Sequence, residues 1–176
     1  IYLKLKRKGY DSFDRITDLA GLRILCLFEA DIPEVHKFLL SLFSDRGGLI
    51  KEMKAYNWGK DEDNHFLEVI ESYTAAAGEK IDLNPKLTRK ESGYKSIHYI
   101  VEIPTSKSRV SVEVQLRTIL QDAWAELEHT LSYKKGNIHP HIRKSFQLLA
   151  RDLQTNDSLL SHLKSVGEKE KFGEIH

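Results

Sequence analysis

Two stretches, Arg89-Lys-Glu-Ser-Gly-Tyr-Lys-Ser-Ile-His98 and Val110-Ser-Val-Glu-Val-Gln-Leu-Arg117, decide how this chain folds. In the first, a cationic loop enters Gly93, and Tyr94 opens an extended segment in which Ser96 and His98 alternate with Ile97 and Tyr99. In the second, Val110, Val112, Val114 and Leu116 alternate with Ser111, Glu113, Gln115 and Arg117. Alternation at period two describes a strand with one apolar and one polar face. The spacing predicts strands over 94–103 and 109–117, joined by a turn that contains Pro104. Two neighbouring polar faces of His, Ser, Glu, Gln and Arg form either the wall of a site or the wet face of an antiparallel sheet.

Upstream, residues 19–28 are rich in Leu and Ile, are broken by Arg23, and read as a buried strand. Asp31 can cap a helix with Pro33 in its first turn. The apolar face of that helix reads as Val35, Phe38, Leu39 and Leu42, and Gly47-Gly48 ends it before a second strand over 49–56. Strand, helix and strand in this order suggest an α/β crossover. Residues 57–88 give the weakest pattern: helical composition over 65–77, then a loop over 81–90 around Pro85.

Downstream, Thr118 caps a helix to about residue 133, with Trp124 and Leu127 in its core face. A long helix follows over 140–164, with Ile142, Phe146, Leu149, Leu153 and Leu160 among its apolar positions, and a charged tail after Gly167 is expected to fray. Residues 1–8 read as the end of a basic helix stopped at Gly9, and the absence of a starting methionine suggests a truncated N-terminus. The fold class expected is α+β: a mixed sheet of four to five strands flanked by helices.

The length of 176 residues suits one domain with a real core, and 40% hydrophobic residues is ordinary for a globular protein. A net charge of +1 excludes an overall field that would mark a nucleic-acid binder. The basic residues cluster at Lys4 to Lys8, Lys86 to Lys95 and Lys134-Lys135, where they either bind phosphates or face solvent. Cys26 has no partner for a disulfide within the chain and reads as a small buried hydrophobe. No apolar run reaches membrane-spanning length and no signal peptide opens the sequence, so a cytoplasmic protein without membrane contact is expected. There is no Gly-rich dinucleotide turn and no Walker lysine loop.

Two acids stand out by position. Asp18 enters a strand made mostly of apolar residues, and Glu113 lies between valines. A carboxylate there is costly unless solvated, paired or bound to a cation. Converging from neighbouring strands, the two would hold Mg²⁺, a hard ion that prefers oxygen and shares itself with substrate phosphates. The alternative is structural: Asp18 pairs with Arg23, and Glu113 pairs across strands with a basic residue.

Asp18-Leu-Ala-Gly-Leu-Arg23, Gly93-Tyr-Lys-Ser-Ile-His98, Glu113-Val-Gln-Leu-Arg-Thr118 and Asp122-Ala-Trp-Ala-Glu-Leu-Glu-His129, in this order, resemble the synthetase domain of the RelA/SpoT family. The resemblance extends to Tyr133-Lys134 and covers about residues 1–150. It implies a nucleotidyltransferase-like fold and transfer of pyrophosphate from ATP to the 3′-hydroxyl of GDP or GTP, making the alarmones ppGpp and pppGpp. It implies Asp18 and Glu113 as catalytic and metal-binding acids, with Glu113 helping to take the hydroxyl proton. Tyr94 matches the guanine-stacking tyrosine and His98 the histidine near the acceptor. Lys54, Lys90 and Gln115 fall with them on the guanine-nucleotide side. Lys4, Lys6, Arg7, Arg23 and Arg117 fall on the ATP side. The domain would occupy 1–135, with 136–176 a helical extension packed on it, and a homo-oligomer is compatible with the resemblance.

The chain departs from the family in places. Lys54-Ala55-Tyr56 replaces the usual Lys-Asp-Tyr, Ser92 replaces a common asparagine, and the link from Tyr56 to Gly93 is longer than usual. These differences leave two rivals: a toxin-like relative that modifies adenine nucleotides or the tRNA 3′ end, and a non-catalytic nucleotide-binding module. Glu126, Glu128 and His129 lack zinc-ligand spacing and read as structural.

Overall fold

In a computed structural model, residues 20–56, 86–88, 90–132 and 140–173 are described. The elements in order are β1 (Ala20–Cys26), a 3-10 turn (Glu29–Asp31), α1 (Ile32–Asp45), β2 (Leu49–Tyr56), β3 (Lys86–Thr88), β4 (Ser96–Pro104), β5 (Arg109–Thr118), α2 (Ile119–Ser132) and α3 (Pro140–Gly173). The strands form one five-stranded sheet in the order β1-β5-β4-β2-β3. β1 runs parallel to β5 and β3 parallel to β2, whereas β4 is antiparallel to both β2 and β5. The sheet is therefore mixed and the class is α+β.

Alternation in β4 and β5 does what the sequence predicts. Ile97, Tyr99, Val101, Val114 and Leu116 are buried on one face, against Leu39, Leu40 and Phe43 of α1. The ring of Tyr99 sits between His36, stacked at 5.7 Å, and Phe43, edge-on at 6.4 Å. Burial of this apolar face is the main stabilising term, worth roughly 1.5–3 kcal/mol for each large side chain removed from water.

α1 ends on three backbone bonds: Arg46 N–H to Leu42, Gly47 N–H to Ser44, and Gly48 N–H to Phe43. With Gly47 at φ 65°, the last two make a Schellman cap. β1, α1 and β2 do form a crossover, but β5 and β4 lie between its two strands.

Several expectations are corrected. Among the described residues β1 is an edge strand, not a buried one: β5 alone pairs with it there, and Leu22 and Leu25 are 51% and 46% exposed. The buried stripe of α1 is Ile32, His36, Leu39, Leu40 and Phe43, while Phe38 is 63% exposed. That stripe keeps helical spacing, and His36 belongs to it. Asp31 precedes α1 without a side-chain capping bond; its carboxylate pairs with Lys164 of α3 instead. Residues 86–88, expected as loop, add a short strand to β2. Trp124 is buried as expected, but Leu127 is exposed. α3 does not stop near residue 164; it runs through Gly167 to Gly173.

Expectations for 1–19, including Asp18, Lys4, Lys6 and Arg7, and for the helix over 65–77, fall outside the described residues. Among the described residues no helix is long and apolar enough to cross a membrane.

Candidate active site

The face of the sheet opposite α1 carries the polar residues. Strand register places Lys54 of β2 opposite His98 of β4, His98 opposite Gln115 of β5, and Gln115 opposite Arg23 of β1. One transverse row therefore holds two cations, an imidazole and an amide. Glu113 lies one step along β5, opposite Gly21 and Ile100.

A hydrogen-bonded chain crosses this row. His98 Nδ1 is 2.8 Å from Glu113 Oε1, and His98 Nε2 is 2.8 Å from Tyr94 Oη. An ionised carboxylate only accepts, so Nδ1–H donates to Glu113 and Nε2 accepts the Tyr94 hydroxyl proton. Arg117 Nη1 donates to Tyr94 Oη at 3.4 Å. The hydrogen bonds of this chain, from Arg117 through Tyr94 and His98, thus all run towards Glu113. His98 is thus a cross-strand partner of Glu113, as the structural alternative also allows.

Tyr94 lies two residues before β4, beyond the reach of the ladder, and rings and charges fix it. Tyr56 meets Tyr94 edge-on at 5.5 Å and His98 at 4.8 Å. Lys90 Nζ lies 5.4 Å from the centre of the Tyr56 ring, and Arg117 Cζ 5.9 Å from that of Tyr94. Burial raises the pKa of the Tyr94 phenol, partly offset by Arg117, so it stays a hydroxyl donor at neutral pH. Gly93, at φ 82°, turns the chain into this position.

The cations differ in their environments. Arg117 has a side chain only 2% exposed; it bonds Gln115 Oε1 at 2.9 Å and Asp122 Oδ1 at 3.0 Å. Arg23 is half exposed and pairs with Glu126 at 2.5 Å and Asp122 at 3.5 Å. Lys54 pairs with Glu52 at 2.8 Å along its own strand, and that bond holds the ammonium more firmly protonated. Lys95, from the basic cluster, is buried on Glu29 at 2.8 Å and faces neither solvent nor the site's row. Arg23, Tyr94, Gln115, Arg117, Glu126 and His129 line an open cleft of about 510 Å³.

The structure thus brings together Tyr94, His98, Glu113, Gln115, Arg117, Arg23, Lys54 and Lys90. The sequence reading passed over Tyr56 as a site residue, although it shares the period-two face with Lys54. It also passed over Asp122 as the partner of both arginines, a contact between distant segments with no local signature.

Among the described residues no group of three or more His, Cys, Asp or Glu side chains could hold a metal alone. Glu113 offers hard oxygen, and opposite it no described residue comes within 4 Å of where a Cβ on Gly21 would sit. That suits an ion such as Mg²⁺, which takes one or two carboxylates and completes its shell from water and phosphates.

A family model described as "Region found in RelA / SpoT proteins" matches residues 1–138. The GTP pyrophosphokinase YwaC of Bacillus subtilis is 30% identical over 146 residues, covering 78% of this chain and 54% of that protein. The GTP pyrophosphokinase YjbM of the same organism is 27% identical over 168 residues, covering 92% of this chain and 64% of that protein. The crystal structure of Bacillus subtilis small alarmone synthetase 1 bound to its product pppGpp superposes with a TM-score of 0.64 at 27% identity, covering 93% of this chain and 72% of that one. The chain spans roughly half to two-thirds of the length of these curated relatives.

Proposed function

This chain belongs to the RelA/SpoT family, and from that premise we propose that it transfers the pyrophosphoryl group of ATP to the 3′-hydroxyl of GDP or GTP. The observation that carries the reading is the chain from Tyr94 through His98 to Glu113. It joins an aromatic platform for a base to a carboxylate. The relatives named as GTP pyrophosphokinases and the pppGpp-bound structure support the same substrates.

In this reading the acceptor's guanine stacks on Tyr94, with Tyr56 and Lys90 bounding the base. Stacking on one aromatic side chain is worth about 1–3 kcal/mol. The 3′-hydroxyl lies near Glu113, which takes its proton as the oxygen bonds to the β-phosphorus of ATP. The bond between the α-phosphate and the β-phosphate breaks, and AMP leaves. His98, donating to Glu113, orients the carboxylate and shares the incoming positive character. Lys54 and Arg23, at opposite ends of the row, lie where cations can balance phosphate charge.

Glu113, together with Asp18 from the sequence before β1, would hold Mg²⁺. That ion supplies charge neutralisation across the ATP phosphates. Lys4, Lys6 and Arg7 complete the ATP side, and Gln115 positions the acceptor through the row it shares with His98. Arg117 serves ATP at most indirectly, through the Asp122 that it shares with Arg23. Residues 1–135 form the synthetase unit and 136–176 a helical extension upon it. In this reading the chain acts in the cytoplasm on its nucleotide pools, and assembly as a homo-oligomer fits.

The test is incubation with ATP labelled in its terminal phosphates, Mg²⁺, and GDP, GTP or tRNA. The expected products are AMP and a 3′-pyrophosphorylated guanine nucleotide. Label entering RNA instead would move the acceptor to tRNA, and nucleotide binding without turnover would make the chain a sensor.

A further inference from the structure

The family match ends at residue 138 and α3 begins at Pro140, yet α3 reaches the site's loop from behind. A Cβ on Gly93 would lie 2.4 Å from the Ala150 Cβ, so helix and loop are in direct contact. Gln147 Nε2 donates to the Glu91 carbonyl at 3.1 Å. One turn beyond Leu153, Asp157 is 1% exposed and accepts the Thr118 hydroxyl at 2.6 Å.

Thr118 is itself a junction. Its N–H donates to Gln121 Oε1 at 3.0 Å, and its hydroxyl accepts from Gln121 N–H at 3.1 Å. This is a reciprocal capping box at the start of α2. Asp157 therefore latches the point where β5 becomes α2, one residue after Arg117. Lys95, one residue after Tyr94, lines a cavity of about 20 Å³ together with Asp157 and Gly93. Lys95 is buried on Glu29 at 2.8 Å. Burial raises the Asp157 pKa, while Thr118 and Lys95 oppose that shift.

A buried carboxylate gains little net stability from such partners, and removing one partner of a buried set is costly. A set like this constrains geometry more than it adds stability. The set lies one residue from two of the groups that hold the Tyr94 ring: its own backbone, next to Lys95, and Arg117, next to Thr118.

We propose that Asp157 of α3 is a positioning residue for the acceptor side of the site, holding the Gly93–Lys95 turn and the end of β5 so that Tyr94 meets His98. The proposal rests on the reading of Tyr94 as the acceptor's platform. It assigns a role in the reaction to a helix that lies beyond the residues matched by the family model.

Two measurements test it. Hydrogen exchange on the unliganded protein reads the loop directly: in Asp157→Ala, amides over 90–95 are expected to exchange about tenfold faster while those of β2 and β4 stay unchanged. Steady-state kinetics with GDP varied is expected to show KM for GDP raised about tenfold, with KM for ATP and kcat within about twofold. Asp157→Asn keeps an acceptor for the Thr118 hydroxyl and is expected to recover most of both effects. Gln147→Ala, at an exposed position, should loosen the loop alone if Asp157→Ala does not fold. Unchanged exchange over 90–95, exchange raised equally in β2 and β4, or KM for ATP rising in parallel with that for GDP would each overturn the proposal. If the wild-type protein makes no product, the proposed reaction fails by that result, and hydrogen exchange alone decides the role of Asp157.

Discussion

Alanine in place of Gly93 would meet two separate costs. The first is backbone: at φ 82° an L-residue sits in the left-handed region, which costs about 1–2 kcal/mol. The second is space. The new Cβ would lie 2.4 Å from the Ala150 Cβ, whereas carbons settle at about 3.5–4.0 Å. Over an ångström of movement is needed, and α3 resists it. It is pinned by Phe146 against Trp124, ring centres 5.1 Å apart, and by Asp157 on Thr118. Overpacking of this kind costs about 1–3 kcal/mol. The two terms sum to about 2–5 kcal/mol.

A double-mutant cycle read by urea unfolding separates them. Ala150→Gly alone should cost about 1 kcal/mol as a glycine within a helix. In that background, Gly93→Ala should lose only the backbone term, leaving a coupling of about 1–3 kcal/mol. Gly21→Ala is the control, because no described residue lies within 4 Å of its Cβ position; its effect should stay within about 0.5 kcal/mol. A Gly93→Ala cost below about 1 kcal/mol, or one that Ala150→Gly leaves unchanged, would show that α3 does not press on the loop.

Acid should weaken the fold through His36. Its ring is fully buried against Tyr99, and burial pushes its pKa down to about 4 from the ordinary 6.5. The sign follows: no penalty above pH 6.5, then stability lost as pH falls, reaching about 3 kcal/mol once pH is below 4. Denaturant midpoints from pH 7 to 4 should fall less steeply in His36→Gln, and equal slopes would exclude His36 as the cause. Glu113→Gln should reduce kcat at least about 100-fold while the unfolding midpoint moves little, since Gln can still accept from His98; retained turnover would remove Glu113 from the chemistry. Glu126→Gln releases Arg23 from an exposed ion pair and should lower KM for ATP a few-fold at low salt, an effect that added salt erases. A higher KM would mean that Glu126 orients Arg23 rather than competing with phosphate for it.

Much of the sheet was legible because β4 and β5 are half-buried strands, and a period of two marks such strands directly. β1 was misread for a related reason. Its leucines look like a core strand, but its place at the edge is decided by pairing with β5, ninety residues away in sequence. His36 was left out of the apolar face of α1, although the spacing from Ile32 to Leu39, Leu40 and Phe43 encloses it. The helix was read as ending near residue 164 with a fraying tail after Gly167, yet the Glu- and Lys-rich sequence there favours helix enough to carry through. At the site, Tyr94, His98 and Glu113 were legible from motif and alternation together. Lys95 was not separable from its basic neighbours, because its burial depends on Glu29 from a distant turn. Asp157 gave no signal at all: one acid on a polar helix is indistinguishable from its solvated neighbours until Thr118 is seen beside it.

The site is held in place by two different physical means, and they should fail differently. Lys54, His98, Gln115 and Arg23 are aligned by the backbone ladder, which fixes neighbouring strands about 4.8 Å apart and sets the row at about 14 Å from end to end. Changing a side chain in that row alters charge or hydrogen bonding but leaves the spacing intact. Tyr94 precedes β4 and has no ladder to align it. Its place comes from Arg117, His98 and Tyr56 around the ring and from Ala150 behind Gly93. A substitution in that packing shifts the platform without touching the charges. Changes in the row should therefore register mainly in kcat and salt dependence, and changes behind the turn mainly in acceptor KM. The two can be told apart in one protein because only His98 belongs to both sets.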